Sequence, residues 1–319
     1  MIFFPIFCRL LSVIICLASI RCFAIGTEVD AAFGSTTSIQ TNSEFRSFSF
    51  LGSYKTNSSS TDDTWSFGAV TSIVDGQVSE SNFSFQHFQI SEQIKKGPFE
   101  FIIAPGLVNR TIDSRNNSQI FESYLGFNSD FEATGIQFEV GSKSLGEDLQ
   151  SSYSIRENLG SLYYRIAIQR KITETVKLSL LTKTLYLSDT NQRSDSDLAL
   201  MYGISTTWPW IWVGFGTEFM SNSKTSQSYW SPRQFYSFGP RIDVAAPIFG
   251  KLSFALGLNL NKFQDIDFGG GQGFYSNSKL IYGDVGKLRY EFGIEAIQSE
   301  QSGNIWRSQA MSLGLSCLF

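Results

Sequence analysis

The chain has 319 residues and a formal net charge of −4, which argues against a nucleic-acid partner because such partners select basic surfaces. It contains 29 Phe, 12 Tyr and 6 Trp residues but only 7 Pro residues, a mixture that favours β-strands. After the first 24 residues no apolar run reaches the roughly 18 residues of a spanning helix, so a bundle of membrane-spanning helices is excluded. Strands that cross a bilayer remain allowed, because their alternating polarity averages out along the chain.

The first 24 residues are predicted to be a signal peptide. Arg9 precedes an apolar run over 10–20, and the small-x-small-like site at 22–24 suits cleavage. A membrane-anchoring helix is the alternative, but the uncharged run between Arg9 and Arg21 is too short to cross roughly 30 Å of hydrocarbon. We therefore expect export, cleavage near Ala24 and one mature domain over 25–319.

No catalytic, metal or cofactor site is predicted, and we do not expect an enzyme. Cys8, Cys16 and Cys22 lie in the leader. Cys317 alone remains, which excludes a disulfide within the mature chain. The single histidine, His87, lacks the Ser and Asp or Asn pattern of the barrel phospholipase, and its strand face is ambiguous. The Asp- and Gly-rich segment 265–271 lacks the ligand spacing of a calcium loop.

The mature chain divides into alternating segments with the period of two residues typical of strands. In chain order they are 27–37, 43–54, 64–74, 78–93, 99–108, 120–128, 135–143, 160–170, 175–188, 197–207, 211–221, 234–246, 251–262, 273–282, 287–298 and 306–319. They predict an all-β, transmembrane, antiparallel up-and-down barrel of about 16 strands. The Ser-rich segment 55–63 is long for its periplasmic side, so either that turn is unusual or 27–37 is not a barrel strand and the count is about 14.

The connections between these segments alternate in length. Longer polar ones cover 109–117, 144–153, 189–195, 222–231, 264–271 and 299–304. Shorter ones cover 95–97, 171–174, 208–210, 248–250 and 284–286. This alternation predicts long extracellular loops, tight periplasmic turns and a periplasmic carboxy-terminus. No helical periodicity is found.

Charged and apolar side chains separate onto opposite strand faces. In segment 287–298, Arg289, Glu291 and Glu295 share one face, whereas Leu288 and Phe292 share the other. Because unpaired buried charges are costly, the charged face must meet water. Residues predicted to line such a lumen are Glu122, Glu139, Tyr163, Arg165, Gln169, Lys177, Lys183, Glu218, Phe235, Arg241, Asp243, Arg289, Glu291 and Glu295. Aromatic rings beside these charges suit sugar contact, but they equally suit packing and pairing across the barrel.

The last strand carries a terminal pattern. Apolar residues stand at every second position from Met311 through Leu313 and Leu315 to Phe319. This pattern resembles the carboxy-terminal signal of outer-membrane β-barrels of Gram-negative bacteria, which alternates and closes on Phe or Trp. The resemblance implies an outer-membrane location, contact with outer-membrane lipid, and insertion by the barrel-assembly machinery through these four residues.

A second resemblance rests on residues 229–235 (YWSPRQF), followed by Gly239. Tyr229, Ser231, Pro232 and Phe235 resemble the segment that begins a strand in the carboxy-terminal barrel of cellulose-synthase-operon and poly-N-acetylglucosamine export porins. Pro suits the start of a strand, and the aromatic pair suits the outer membrane interface. The resemblance implies a barrel of about 16 strands that transports polysaccharide. No tetratricopeptide pattern precedes the strands here, a departure from that family.

The sequence thus predicts a passive, water-filled, porin-like channel. Polysaccharide or oligosaccharide passage is favoured over general diffusion. The alternative is a structural or surface-interaction barrel without an open pore, whose loops at 222–231 and 144–153 bind a partner.

Overall fold

The computed structural model describes residues 29–42, 45–59, 63–78, 81–113, 116–131, 133–145, 149, 151–226, 228–283, 288–301 and 304–318. The predicted signal peptide and Phe319 lie outside these residues. The strands are β1 (Val29–Asn42), β2 (Phe45–Ser59), β3 (Asp63–Val78), β4 (Ser81–Lys96), β5 (Phe99–Ile112), β6 (Asn116–Phe131), β7 (Thr134–Ser144), β8 (Gly160–Thr173), β9 (Val176–Leu187), β10 (Gln192–Ser205), β11 (Trp210–Asn222), β12 (Gln234–Phe249), β13 (Leu252–Asp265), β14 (Gly269–Gly283), β15 (Arg289–Gln301) and β16 (Asn304–Leu318). One helical turn, α1 (Ser152–Arg156), precedes β8.

Within these described ranges, 16 strands form one closed antiparallel barrel. Each strand pairs with its neighbours in sequence, and β1 pairs with β16 from Ala32 opposite Leu318 to Asn42 opposite Ser308. Closure leaves no unpaired sheet edge. The predicted all-β up-and-down barrel is confirmed, with the larger of the two strand counts.

The Ser-rich segment 55–63 is not a long loop. Residues 55–59 continue β2 and pair with β3, ending with Ser59 opposite Thr64. The connection is 60–62. Polar side chains that face water carry no burial penalty. A strand with a polar sequence can therefore continue beyond the bilayer. The reason for doubting the first strand therefore disappears.

The predicted long-short alternation of connections is largely wrong for the same reason. Strands extend into four of the predicted loops, leaving connections at 113–115, 188–191, 266–268 and 302–303. Among the connections between the described strands, those at 145–159 and 223–233 are the long ones. Both lie at the end of the barrel opposite the carboxy-terminus, as the sequence predicts for extracellular loops.

The short helix α1 was not predicted. The Ser151 side chain caps it by accepting a hydrogen bond from the Ser154 backbone N–H. A single turn is too short to produce helical periodicity in a sequence. In the part of the chain that the structure describes, no helix is long and apolar enough to span a membrane.

The outward face of the strands is an apolar belt. Its members include Phe88, Phe101, Ile103, Phe121, Leu125, Leu162, Leu200, Phe215, Phe238, Met311, Leu313 and Leu315, all exposed. Aromatic side chains at the turn ends, among them Trp208, Phe249 and Tyr282, are also exposed. An apolar surface that encircles a molecule far exceeds the patches found on soluble monomers. It matches the lipid-facing band and aromatic girdles of a transmembrane barrel.

Candidate functional site in the barrel interior

The strand register places every predicted lumen residue on the inward face. Residues directly opposite each other on paired strands share a face, and the inward set alternates with the exposed apolar belt. The inward residues are Glu122, Glu139, Tyr163, Arg165, Gln169, Lys177, Lys183, Glu218, Phe235, Arg241, Asp243, Arg289, Glu291 and Glu295. The structure therefore gathers them inside one barrel; that they line a transport route is part of the proposal below.

Arg241 on β12 connects three strands of the inner wall. Its guanidinium donates to both carboxylate oxygens of Asp197, at 2.9 and 2.6 Å, and lies 3.4 Å from Glu218 Oε1. This two-point geometry is the strongest form of such a pair. Gly216 leaves the necessary space, because a Cβ there would lie 1.9 Å from Arg241 Nε. Asp197 is not among the predicted lumen residues, although Asp195 two residues before it shares its strand face and could have indicated its direction.

Lys177 contacts a carboxylate on a strand that is not adjacent to its own. Its Nζ lies 3.9 Å from Asp243 Oδ2 and 4.4 Å from the ring centre of Trp212. Lys177 belongs to β9 and Asp243 to β12, so the contact passes over two intervening strands and can form only inside the barrel. Trp212 also faces inward, rather than joining the outer aromatic girdle.

Further polar contacts hold the carboxylates on β6 and β7. The Tyr163 hydroxyl donates to Glu139, and Arg165 Nη1 lies 3.8 Å from Glu139 Oε2. His87 Nδ1 lies 3.5 Å from Glu122 Oε2, which settles the ambiguous face of His87: it points inward.

On β9 and β15 the inner wall holds two more cationic contacts. Lys183 Nζ lies 5.4 Å from the Tyr163 ring centre, and Arg289 Nη2 lies 2.6 Å from Glu291 Oε1. The inner wall therefore carries both signs of charge, mostly in pairs.

The connection 145–159 is here called the inner loop, and its described residues, 145, 149 and 151–159, include several that pack inside the barrel. Its Ile155 is fully buried in an apolar cluster of inward side chains. That cluster comprises Val74, Val78, Phe83, Phe85, Val108 and Ile112. Arg110, also buried, donates to Asn158 Oδ1 and lies 5.8 Å from the Phe85 ring centre. The inner loop is thus held against β3–β5 by both apolar and polar contacts.

A second cluster attaches the inner loop to β8 and β9. It contains Leu145, Leu159, Tyr163, Leu185, Leu187 and Tyr229, with Tyr124, Leu149 and Tyr153 packed against it. Tyr229 comes from the other long connection, 223–233. Its hydroxyl donates to Asp189 Oδ2 at 2.7 Å and accepts from Asn191 Nδ2 at 3.0 Å. Burial raises the pKa of Tyr229 to about 12, so the phenol stays neutral and keeps both bonds.

The segment 229–235, which resembles the export-porin motif, lies where the connection 223–233 meets β12. Ser231 Oγ accepts from the Ser226 backbone N–H at 2.5 Å, and the Pro232 carbonyl accepts from Asn222 Nδ2 at 2.8 Å. Phe235 stands edge-on to Trp230, with ring centres 5.3 Å apart.

The aromatic pair at 229–230 is expected at the outer membrane interface, and this prediction is wrong for Tyr229. Tyr229 is buried inside the barrel, whereas Trp230 is exposed. The inner loop covers the Tyr229 ring, and Asp189 and Asn191 satisfy its hydroxyl. A sequence does not show that cover, since the covering residues are distant along the chain.

Comparison with known proteins agrees with this architecture. No family model and no curated protein sequence matches the chain. A solved structure described as a bacterial polysaccharide outer membrane secretin is similar over 93% of this chain and 100% of that chain, with a TM-score of 0.72 at 8% identity. CdiB from Acinetobacter baumannii is similar over 90% of this chain and 60% of that chain, with a TM-score of 0.52 at 9% identity.

At such low identity the similarity concerns the fold alone. The chain has the fold of a bacterial outer-membrane β-barrel, with a lipid-facing belt that includes Met311, Leu313 and Leu315. The predicted outer-membrane barrel class is confirmed.

Proposed function

We propose that this chain is an outer-membrane channel that passes a polysaccharide or oligosaccharide through its interior. The observation that carries the proposal is the contrast between the two barrel faces. The outer face is apolar and exposed, whereas the inner face holds carboxylates, cations, amides and hydroxyls, with pairs such as Arg241–Asp197 and Lys177–Asp243. Barrels of this strand number enclose an aqueous lumen unless a segment fills it.

The paired charges favour an uncharged solute. A charged solute would meet groups of its own sign along the inner wall, whereas a hydroxyl-rich chain forms hydrogen bonds with groups of both signs. The fold shared with a polysaccharide outer membrane secretin supports a barrel of suitable size. In this proposal the predicted lumen residues form the route.

The inner loop is the barrier in this channel. Ile155 and Tyr153 hold it inside the barrel, next to β3–β5 and β8–β9 respectively. A polymer that passes on this side must displace the loop. The carboxy-terminus would lie in the periplasm, which puts this barrier at the extracellular end.

Assembly and export complete the proposal. Residues 1–24 direct export and are removed, and Met311, Leu313, Leu315 and Phe319 are recognised by the barrel-assembly machinery. The outward position of the first three supports this role, because that face is accessible before the barrel closes.

A second candidate is a structural or surface-interaction barrel without an open pore. The packing of Tyr229 and of the inner loop against inward side chains favours a closed lumen. It also buries Tyr229, so a partner would contact residues of the connection 223–233 that stay exposed, such as Lys224, Ser228 and Trp230.

Planar bilayer recording of the refolded mature barrel tests the proposal. We expect stepwise conductance that neutral oligosaccharides reduce. A correctly folded barrel that is silent both as wild type and with the inner loop removed would overturn the channel and favour the second candidate.

A further inference from the structure

A cavity of about 580 Å³ lies on the inner wall, away from the inner loop. It extends over β4–β10 and reaches Pro98, Asp130 and Gly135, which lie at the carboxy-terminal end of the barrel. The inner loop lies at the opposite end. The cavity is therefore accessible from that end whether or not the inner loop is in place.

The cavity is lined by three carboxamides and a guanidinium, together with the ammonium group of Lys95 and the carboxylates of Glu100, Asp130 and Asp197. The side chains that carry the argument are Asn128, Gln137, Arg165 and Gln169. Gln137 and Gln169 are exposed to the cavity. Arg165 makes only long contacts, 3.5 Å to Gln137 Oε1 and 3.8 Å to Glu139 Oε2, so its planar set of donors is available to a ligand.

Two of the three carboxylates at the cavity are held by protein groups, whereas the third, Asp130, is exposed at the carboxy-terminal end of the barrel. Glu100 accepts from Gln93 and, at 2.5 Å, from Asn128 Nδ2. Asp197 is held by both terminal nitrogens of Arg241. Glu100 keeps its charge because its partners are neutral amides, whereas Arg241 balances the charge of Asp197. With Lys95 and Arg165 on the same wall, the cavity presents both signs of charge and favours neither a cationic nor an anionic ligand.

We propose that this cavity binds a short, uncharged, polyhydroxylated sugar segment. The inference rests on the proposed channel function and specifies its entry site. A carboxamide donates and accepts, as a sugar hydroxyl does, so Gln137 and Gln169 match neighbouring hydroxyl pairs. The cavity volume falls within the roughly 300–1,000 Å³ range of ligand pockets, which suits a few sugar rings.

Saturation-transfer difference NMR on the full refolded barrel in detergent micelles tests this site without requiring an open pore. The neutral probes are maltotriose and cellotriose, and the charged probes are trigalacturonate and chitosan trimer. We expect saturation transfer to at least one neutral trisaccharide. We also expect neither charged trimer to bind more tightly than that neutral one.

The test variant is Gln137→Leu with Gln169→Leu, which keeps the approximate side-chain volume but removes the amides. The loss of these hydrogen bonds should weaken neutral-trisaccharide binding by at least about fivefold. The matched control is Asn259→Leu with Asn261→Leu, on the inward face of β13 outside the cavity. The control should bind as the wild type does, and heat modifiability on gels verifies folding of both.

The outcomes separate the site from the channel. Absence of neutral-sugar binding, equal binding by the Gln137/Gln169 variant, or tighter binding of a charged trimer would overturn the site. A conducting barrel that fails this test keeps its channel function and loses the site. Binding that the Gln137/Gln169 variant weakens, in a barrel that never conducts, keeps the site and refutes the channel.

Discussion

Tyr153 and Tyr229 come from two different connections and stack inside the barrel, with ring centres 6.3 Å apart and planes 23° apart. Tyr153 belongs to the inner loop and Tyr229 to the connection between β11 and β12. The stack joins the two long connections into one unit. Since Ile155 lies two residues from Tyr153, movement of either connection would disturb the apolar cluster on β3–β5 as well.

The first prediction concerns the apolar anchor of this unit. Ile155→Asp places a carboxylate among Val78, Phe85 and Val108, and an unpaired charge in such a site costs several kcal/mol. We expect the inner loop to leave the cluster, while the strand ladder stays intact. Single-channel conductance should rise, and the heat-modifiable band on gels should persist.

Arg156→Asp is the control for the first prediction, because it introduces the same side chain at an exposed position of α1. Its conductance should match the wild type. Equal conductance of the Ile155 and Arg156 variants would show that the cluster does not hold a barrier.

The second prediction concerns the space around Arg241. Gly216→Ala brings a Cβ to within 1.9 Å of Arg241 Nε, which forces the guanidinium away from Asp197. Such overpacking costs about 1–3 kcal/mol, so the urea midpoint of unfolding in lipid vesicles should fall. Gly135→Ala is the control, because its Cβ would meet nothing closer than the Ser129 carbonyl oxygen at 3.9 Å. Equal midpoints for both variants would contradict the account of Arg241.

The third prediction concerns selectivity. Asp243→Asn leaves Lys177 without its carboxylate partner, so the reversal potential in a salt gradient should shift toward anion preference. Lys177→Gln should shift it in the opposite direction. The double variant should return close to the wild type, since both signs are then removed together. Shifts of the same sign in the two single variants would refute the assignment of this pair to the ion pathway.

The fourth prediction separates the two faces of the last strand. Leu313→Arg places a cation on the lipid-facing belt, which costs about 2–4 kcal/mol near the bilayer midplane, and assembly should fall sharply. Ala310→Arg is the control on the inward face, directly opposite Glu295, and it should assemble normally. Quantitative gels of membrane fractions measure both. Normal assembly of the Leu313 variant would refute the facing.

The proposed assembly signal is tested at its carboxy-terminal residue. Deletion of Phe319, or Leu315→Asp together with Phe319→Asp, should abolish membrane assembly. A normal heat-modifiable barrel from either variant would remove this segment from the recognition step.

Strand identity and facing could be predicted because they depend on a local period of two residues. Arg241 and Asp243 alternate with Ile242 and Val244, and a closed barrel offers only two environments for those faces. Strand ends were less predictable, since polar residues such as those at 56–59 are compatible with either a loop or a strand outside the bilayer. Whether these residues form a loop or a strand depends on the strand that pairs with them, and that strand is a different segment of the chain.

The inner loop could not be predicted from its own residues. Ile155 is buried by Phe85 and Val108, which are far from it in sequence. The informative pattern for such a loop is that Phe83 and Phe85 share an inward strand face, because large apolar residues on a water-facing strand face require a cover. The predicted position of Tyr229 is wrong for the same reason, because an aromatic residue near Pro232 suits both a membrane interface and a covered interior.

The most direct test of the central claim is the conductance of the barrel with and without its inner loop. The Leu145 backbone N–H donates to the Leu159 carbonyl at 2.8 Å, so a short Gly-Ser turn can replace 146–158 without straining β7 and β8. The account predicts stepwise conductance in planar bilayers that is larger for the shortened barrel than for the wild type. Two folded, heat-modifiable barrels that both remain silent, or that conduct equally, would contradict it.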